Sequence, residues 1–253
     1  MSAPSIALAA LSTPSLPDAD AVAAELGRLA PDVSAPRVTS RTAAAFTLAW
    51  DDGATANVTL VDKPIPWERI EGPCATAWYW PEAEAAMRTH TAHLFVTLLD
   101  ESNRAIDVSF RLTQLLVAKA QHAPAVGLVW GASGAVHEPH AFAELAVQSS
   151  KSDLPLNLWI DFRVYEQDNG VGYGFFTTGM EALGRRELEV PQYNGDPQHL
   201  VAAAYNIAYY ILEKDAAIND AEVIGLPDES QVTIREDRSM IDPEQDVVRL
   251  EFS

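Results

Sequence analysis

Residues 154–178 read LPLNLWIDFRVYEQDNGVGYGFFTT. From 154 to 164 every even position is apolar: Leu154, Leu156, Leu158, Ile160, Phe162 and Val164. The odd positions hold Pro155, Asn157, Trp159, Asp161, Arg163 and Tyr165. Side chains alternate faces along a strand, so this pattern predicts an antiparallel strand with one buried face. Asn169-Gly170 is the preferred type I′ turn and returns Val171 to Thr178 as the hairpin partner. That turn sets Asp161 opposite Thr178, Arg163 opposite Phe176 and Tyr165 opposite Gly174. Trp159, Asp161 and Arg163 then share the polar face, with Phe176 and Thr178 across from them.

Downstream of the hairpin, Gly179 and Gly184 permit tight turns, and Glu187 to Val190 reads as a further strand. Asp196-Pro197 caps a helix whose Leu200, Val201, Ala204, Ile207, Ala208, Ile211 and Leu212 form one broad apolar stripe. Strand-like segments follow to the C-terminus.

Upstream, Ser5 to Leu11 is a short strand, and Asp18 or Asp20 caps a helix carrying Val22, Leu26 and Leu29. Phe46 to Asp51 and Ala54 to Val61 form a hairpin through Asp52-Gly53, and Pro81 to Thr89 is helix-like. This gives the βαββα order of a ferredoxin-like unit. Ala92 to Leu99 suits a central strand. Ile106 to Lys119 is a helix with apolar positions 108, 112, 115 and 116. Ala125 to Trp130 is a strand, Gly131 to Gly134 a turn, and Pro139 opens another helix.

The expected class is therefore α+β, with mainly antiparallel mixed sheets and packed helices. The elements divide into two halves, 1–89 and 90–253. No Gly/Ser linker separates them, so one composite sheet shared by both halves is an equal alternative.

The 253 residues carry 17 basic and 36 acidic groups, a net charge of −19. From Glu213 onward there are 4 basic against 12 acidic groups. Such a chain repels phosphate backbones, so nucleic acid and anionic membranes are poor partners. An acidic face steers a basic protein instead. The single cysteine, Cys74, excludes an internal disulfide and a cysteine metal cage. The first basic residue is Arg28, which leaves no positive n-region for a signal peptide, and no run of about 18 apolar residues occurs. The expected location is cytoplasmic. The 13 Arg against 4 Lys point to a GC-rich bacterial genome.

No metal or cofactor site is legible. His90 and His93 straddle a strand start, where an offset of three sends side chains to opposite faces. His137 and His140 straddle a helix start and lack the HExxH spacing. Ser133, in Gly131-Ala132-Ser133-Gly134, misses the nucleophile-elbow pattern. Trp67, Trp78, Tyr79 and Trp80 lie between prolines and form either a partner patch or a cover for the core. The best candidate binding set is Trp159, Asp161, Arg163, Phe176, Thr178, Glu181, Arg185, Arg186, Glu187 and Glu189. Its arginines and carboxylates suit either a binding cleft or a structural ion-pair lattice.

Leu154 to Phe162, Thr178-Gly179-Met180, and Gly184 followed by Glu187-Leu188-Glu189 resemble the bacterial domain-of-unknown-function family numbered 4261. Ala125 to Trp130 with Gly131 and Ser133 resembles it too. The resemblance covers residues 90–215 best and implies no assigned activity. The Thr-Gly-Met turn is also similar to one in suppressor-of-fused-like domains, a class that includes immunity proteins against bacterial toxins. No nucleophile–base–orienter set stands out. The leading expectation is a non-enzymatic interaction module that presents an acidic surface to a basic partner, as an immunity or secretion-associated factor would. The alternative is an enzyme or small-ligand binder with a Trp/Asp/Arg/Glu cleft around residues 159–189.

Overall fold

The structure is a computed structural model that describes residues 4–101, 104–120, 123–167, 170–216, 218–226 and 230–252. The chain forms two units, Met1–Ser149 and Ser150–Ser253.

Unit 1 runs β1 (Ser5–Leu11), α1 (Ala19–Leu29), β2 (Arg37–Arg41), β3 (Ala45–Ala49), β4 (Thr55–Val61), α2 (Glu71–Thr76), α3 (Ala83–Met87), β5 (Ala92–Leu99), α4 (Ala105–Ala120), β6 (Gly127–Trp130), β7 (Val136–His137) and α5 (Pro139–Gln148). Asp18 caps α1 by accepting from the Ala21 amide at 2.8 Å. Gly53, at φ 93°, closes the β3–β4 turn that Asp52-Gly53 predicts. The sheet order is β2-β3-β4-β5-β1-β6-β7. One face carries Ala7, Ala9, Phe46, Leu48, Ala56, Val58, Leu94, Val96 and Leu98, all buried, and packs on α1 and α4. Burying each Val, Leu or Phe here stabilises the unit by roughly 1.5–3 kcal/mol. The opposite face, around Ala10 and Val129, is covered by the α2–α3 segment through Ile70, Cys74, Trp80 and Met87.

Three features differ from the sequence expectation. First, residue 89 is not a boundary. β5 inserts between β1 and β4, pairing with both, so the strand that opens the expected second half is central to the first unit's sheet. Second, every pair in this sheet is antiparallel, in keeping with the expected class, but β5 rather than β4 lies beside β1. The βαββ element order is present in unit 1, while the strand order β3-β4-β5-β1 differs from that of a ferredoxin-like unit, in which the first strand pairs with the third. Third, β2 is an added edge strand with an exposed, polar sequence, RVTSR, that gives no alternation signal. A register shift between Val38 and Ser40 and the flanking arginines protect this edge from pairing with another chain.

The Gly131 to Gly134 segment is a turn, as expected. Ser133 Oγ accepts from the Ala135 amide at 3.2 Å, and the Gly131 amide donates to the Ile6 carbonyl at 2.9 Å. A Cβ on Gly131 would stand 2.5 Å from that carbonyl oxygen. Gly131→Ala is therefore expected to cost roughly 1–3 kcal/mol, read as a lower denaturant midpoint for unit 1. An unchanged midpoint would disprove the close approach.

Unit 2 runs α6 (Leu156–Trp159), β8 (Asp161–Glu166), β9 (Tyr173–Thr178), β10 (Leu188–Tyr193), α7 (Pro197–Glu213), β11 (Val223–Gly225), β12 (Gln231–Arg238) and β13 (Asp246–Phe252). The sheet order is β11-β12-β13-β10-β9-β8, antiparallel except for the β10–β13 pair. Phe162, Phe175, Leu188, Val190, Val232, Ile234, Val248 and Leu250 are buried. So are Leu200, Ala204, Ile207, Ala208 and Ile211 of α7, which packs against β8 and β10. Asp196 caps α7 by accepting from Gln198 N at 2.9 Å, with Pro197 opening the first turn.

The β8–β9 hairpin has the register its turn implied: Asp161 opposite Thr178, Arg163 opposite Phe176 and Tyr165 opposite Gly174. The Gln167 amide donates to the Gly172 carbonyl at 3.1 Å and continues that register. Asn169, and with it the expected type I′ turn, lies outside the described residues. The strand does not extend back to Leu154, however. Leu156–Trp159 is a single helical turn entered from Pro155 and closed by Ile160 N donating to the Leu156 carbonyl at 2.8 Å. Positions 156 and 160 share a face in a helix as well as in a strand, so apolar alternation could not separate the two.

Candidate functional site

The site begins with the face of the unit 2 sheet that points away from α7. Register places Arg163, Phe176, Glu189, Arg249 and Arg235 in one row across five strands. Two further residues expected on that face are less accessible than their spacing implied. Trp159 is 1% exposed, because it belongs to the helical turn rather than the strand and points into the core. Asp161 is buried as well. It pairs with Arg163, whose Nε donates to Oδ2 at 3.1 Å. Burial pushes the Asp161 carboxyl above its ordinary pKa, against the opposing pull of that guanidinium. The Arg163 guanidinium also lies 5.4 Å from the Phe176 ring centroid.

Glu187 has a different role. Its buried carboxylate accepts from Thr177 Oγ1 at 2.7 Å, the Gly179 amide at 2.9 Å and the Glu181 amide at 3.0 Å. Thr177 Oγ1 in turn accepts from the Leu188 amide at 2.8 Å. Gly179 sits at φ 114°, a backbone conformation that glycine tolerates best. The Thr-Gly-Met turn is thus folded around an internal anion. Glu189, 2% exposed, accepts from Ser239 Oγ and from the Met240 amide at 3.0 Å, which fixes the β12–β13 connection.

The other two arginines of the set turn elsewhere. Arg185 pairs with Asp215, and Arg186 pairs with Glu236 at 2.9 Å. Glu181 is exposed and accepts from Gln245 at 3.3 Å. Arg163, Arg185 and Arg186 of the ten candidates thus sit in three separate ion pairs, while Trp159, Glu187 and Glu189 are buried. Arg186, Glu236, Asp237, Arg238 and Asp246 line an open groove of about 400 Å³. Its charges are mutually paired: Arg186 with Glu236, Arg238 with Asp246 at 3.2 Å, and Asp237 with Arg249. Sequence reasoning missed Arg249, which the parallel β10–β13 pairing sets beside Glu189, and Asp237 and Ser239, which bond to Arg249 and Glu189.

The histidines have structural settings. His90 Nε2 accepts from the Ile65 amide at 2.8 Å while Nδ1 faces the Met87 carbonyl. His93 Nδ1 donates to the Lys63 carbonyl at 2.8 Å. His137 stacks on Tyr79 with centroids 6.0 Å apart. Among the described residues no group of three or more His, Cys, Asp or Glu is placed to hold a metal ion. No helix among them is long and apolar enough to cross a membrane.

Lys119 also escaped the sequence reading. It is fully buried on α4, its Nζ has no hydrogen-bond partner among the described residues, and burial lowers its pKa to about 7. The signal was present, since position 119 continues the 112, 115, 116 apolar spacing.

With this geometry in place, the comparisons concern the second unit alone. Residues 176–251 match the family model of a domain of unknown function (DUF4261). The DUF4261 match starts at Phe176 in β9 and ends at Glu251 in β13, so it contains the Thr-Gly-Met turn, Gly184 and the Glu187-Leu188-Glu189 segment. The conformational reason for that motif is on hand: Thr177, Gly179 and Glu187 hold one another. No curated protein and no solved structure matches the chain.

Proposed function

We propose that the chain is a non-enzymatic interaction module whose acidic DUF4261 surface receives a basic protein. The observation that carries this reading is the imbalance left after ion pairing in the C-terminal strands. Arg235, Arg238 and Arg249 are each answered by an acid, Glu251, Asp246 and Asp237. Asp220, Asp242 and Glu244 remain exposed, and among the described residues none has an ion-pair partner. Such a surface speeds approach of a positive partner and discriminates by charge sign. An immunity factor that masks a basic toxin surface, or a secretion-associated factor, is the kind of protein this describes. The pairing of Asp161 with Arg163, and of Arg185 and Arg186 with Asp215 and Glu236, argues against a catalytic use of those groups.

The test is capture from the protein's own cells with the tagged full chain and an Asp220→Asn/Asp242→Asn/Glu244→Gln variant. A stoichiometric basic partner is expected on the parent chain, released as salt rises, with under about a tenth retained by the variant. Recovery of no stoichiometric partner, or equal retention by the variant, overturns the reading.

A further inference from the structure

A second surface, on unit 1, is not absorbed by that reading. Trp78 is 65% exposed, and Tyr79 beside it is exposed too, with the two rings edge to face at 5.7 Å. They occupy the turn between α2 and α3, whose backbone is fixed by Trp80 N donating to the Ala77 carbonyl at 2.8 Å. Tyr79 is held from below. Its hydroxyl donates to the Val136 carbonyl at 3.0 Å, and its ring stacks on buried His137. Trp80, next in sequence, is buried in the core. The chain thus spends one aromatic on packing and presents two on a rigid base. Preorganised Trp and Tyr dominate the energetics of protein contacts because they bury large area at small entropic cost.

The surroundings set the sign of the partner. Glu68, Glu71, Glu82 and Glu84 are exposed along this stretch, against Arg69 and Arg88. Arg88 is already committed. It pairs with Glu84 at 2.8 Å, and its guanidinium lies 3.9 Å from the Trp67 ring centroid. Among the described residues Glu71 and Glu82 have no cation. The Arg88–Trp67–Glu84 set is an internal example of guanidinium held between an indole face and a carboxylate. Trp78, Glu71 and Glu82 are the same residue types, all exposed on the one stretch that holds α2 and α3.

We infer that the Trp78–Tyr79 turn is a docking point for an arginine-bearing segment of a partner protein, the arginine lying over the Trp78 ring with Glu71 and Glu82 at its rim. This deepens the reading of a basic partner and rests on it for the partner's charge. It adds a contact on unit 1 that does not use the C-terminal acidic surface.

The test is calorimetric titration of the full chain with an unlabelled peptide of alternating glycine and arginine. Saturable binding is expected. Trp78→Ala should weaken it about tenfold and Trp78→Phe by no more than about threefold, because the phenyl face retains part of the cation–π attraction. Trp78 is exposed, so an unchanged thermal midpoint will confirm that the variants are folded. The Asp220→Asn/Asp242→Asn/Glu244→Gln variant should bind as the parent does. The inference is overturned if the peptide does not bind or if Trp78→Ala stays within about twofold of the parent. It is also overturned if a glycine–lysine or glycine–glutamine peptide binds equally well. Loss of binding in the triple variant with Trp78→Ala unaffected would assign the peptide to the C-terminal surface, sinking this inference while leaving the broader reading intact.

Discussion

Replacing Lys119 with methionine is expected to stabilise unit 1 by about 4 kcal/mol at pH 7, with the gain fading as pH rises toward 10. The Lys119 amine is fully buried without a hydrogen-bond partner among the described residues, and its pKa falls from 10.5 to about 7 through desolvation. In the unfolded chain it returns to its ordinary value. Between pH 7 and pH 10.5 the unfolded state therefore binds more protons than the folded state. Stability rises with pH across that window, by at most about 1.4 kcal/mol per unit. Above it the amine is neutral in both states and carries no penalty from charge. Below pH 7 it is charged in both states and the penalty is constant and largest. Methionine has similar length and no charge, so it fills the same space. The measurement is the difference in denaturation free energy between the parent and Lys119→Met as a function of pH. A difference that shrinks from pH 7 to pH 10 is the expected result. Parallel curves, or a destabilised variant at pH 7, would show that the amine reaches a partner or solvent.

Lys119 also illustrates what the sequence could and could not convey. A lysine at the end of an amphipathic helix ordinarily lifts its amine into water along an apolar stem. The spacing from Leu112, Leu115 and Leu116 placed residue 119 on the inward stripe, but only tertiary packing seals it there. The β8–β9 hairpin was legible down to its pairing because one turn of defined type sets the register of everything beside it. The segment before it was not. Pro155, the one-turn helix and the inward Trp159 satisfy the same alternation as a strand. Strand order in unit 1 was equally hidden: inserting β5 between β1 and β4 is a long-range choice that no local pattern records. The same holds for the candidate site. The sequence names its charged residues but not their partners, since the groups that satisfy Glu187 and Glu189 are mostly backbone amides and a serine on a distant turn. Charge spacing cannot reveal partners that carry no charge.

Glu187→Ala is expected to be the most damaging single change in unit 2, costing roughly 3–5 kcal/mol. Truncation strips Thr177 Oγ1, the Gly179 amide and the Glu181 amide of one shared acceptor. Those donors are held by a backbone that Gly179, at φ 114°, can adopt and most residues resist. The turn thus has little freedom to find other partners. The loss then propagates. Thr177 Oγ1 is also the acceptor for the Leu188 amide, and Leu188 begins the strand that pairs with β9 on one side and β13 on the other. Glu187→Gln separates charge from shape. It keeps an acceptor oxygen but sets an NH2 against one of the donors, so an intermediate loss of about 2 kcal/mol is expected. Thr177→Val removes one donor and the Leu188 acceptor together, and its cost should not add to that of Glu187→Ala, because both act on one network. Denaturant titration of the three single variants and the Glu187→Ala/Thr177→Val double variant checks this. Additive losses, or a Glu187→Ala midpoint within about 1 kcal/mol of the parent, would mean that the motif residues are not held by one another. A functional demand on Glu187 would then have to explain its place in the turn.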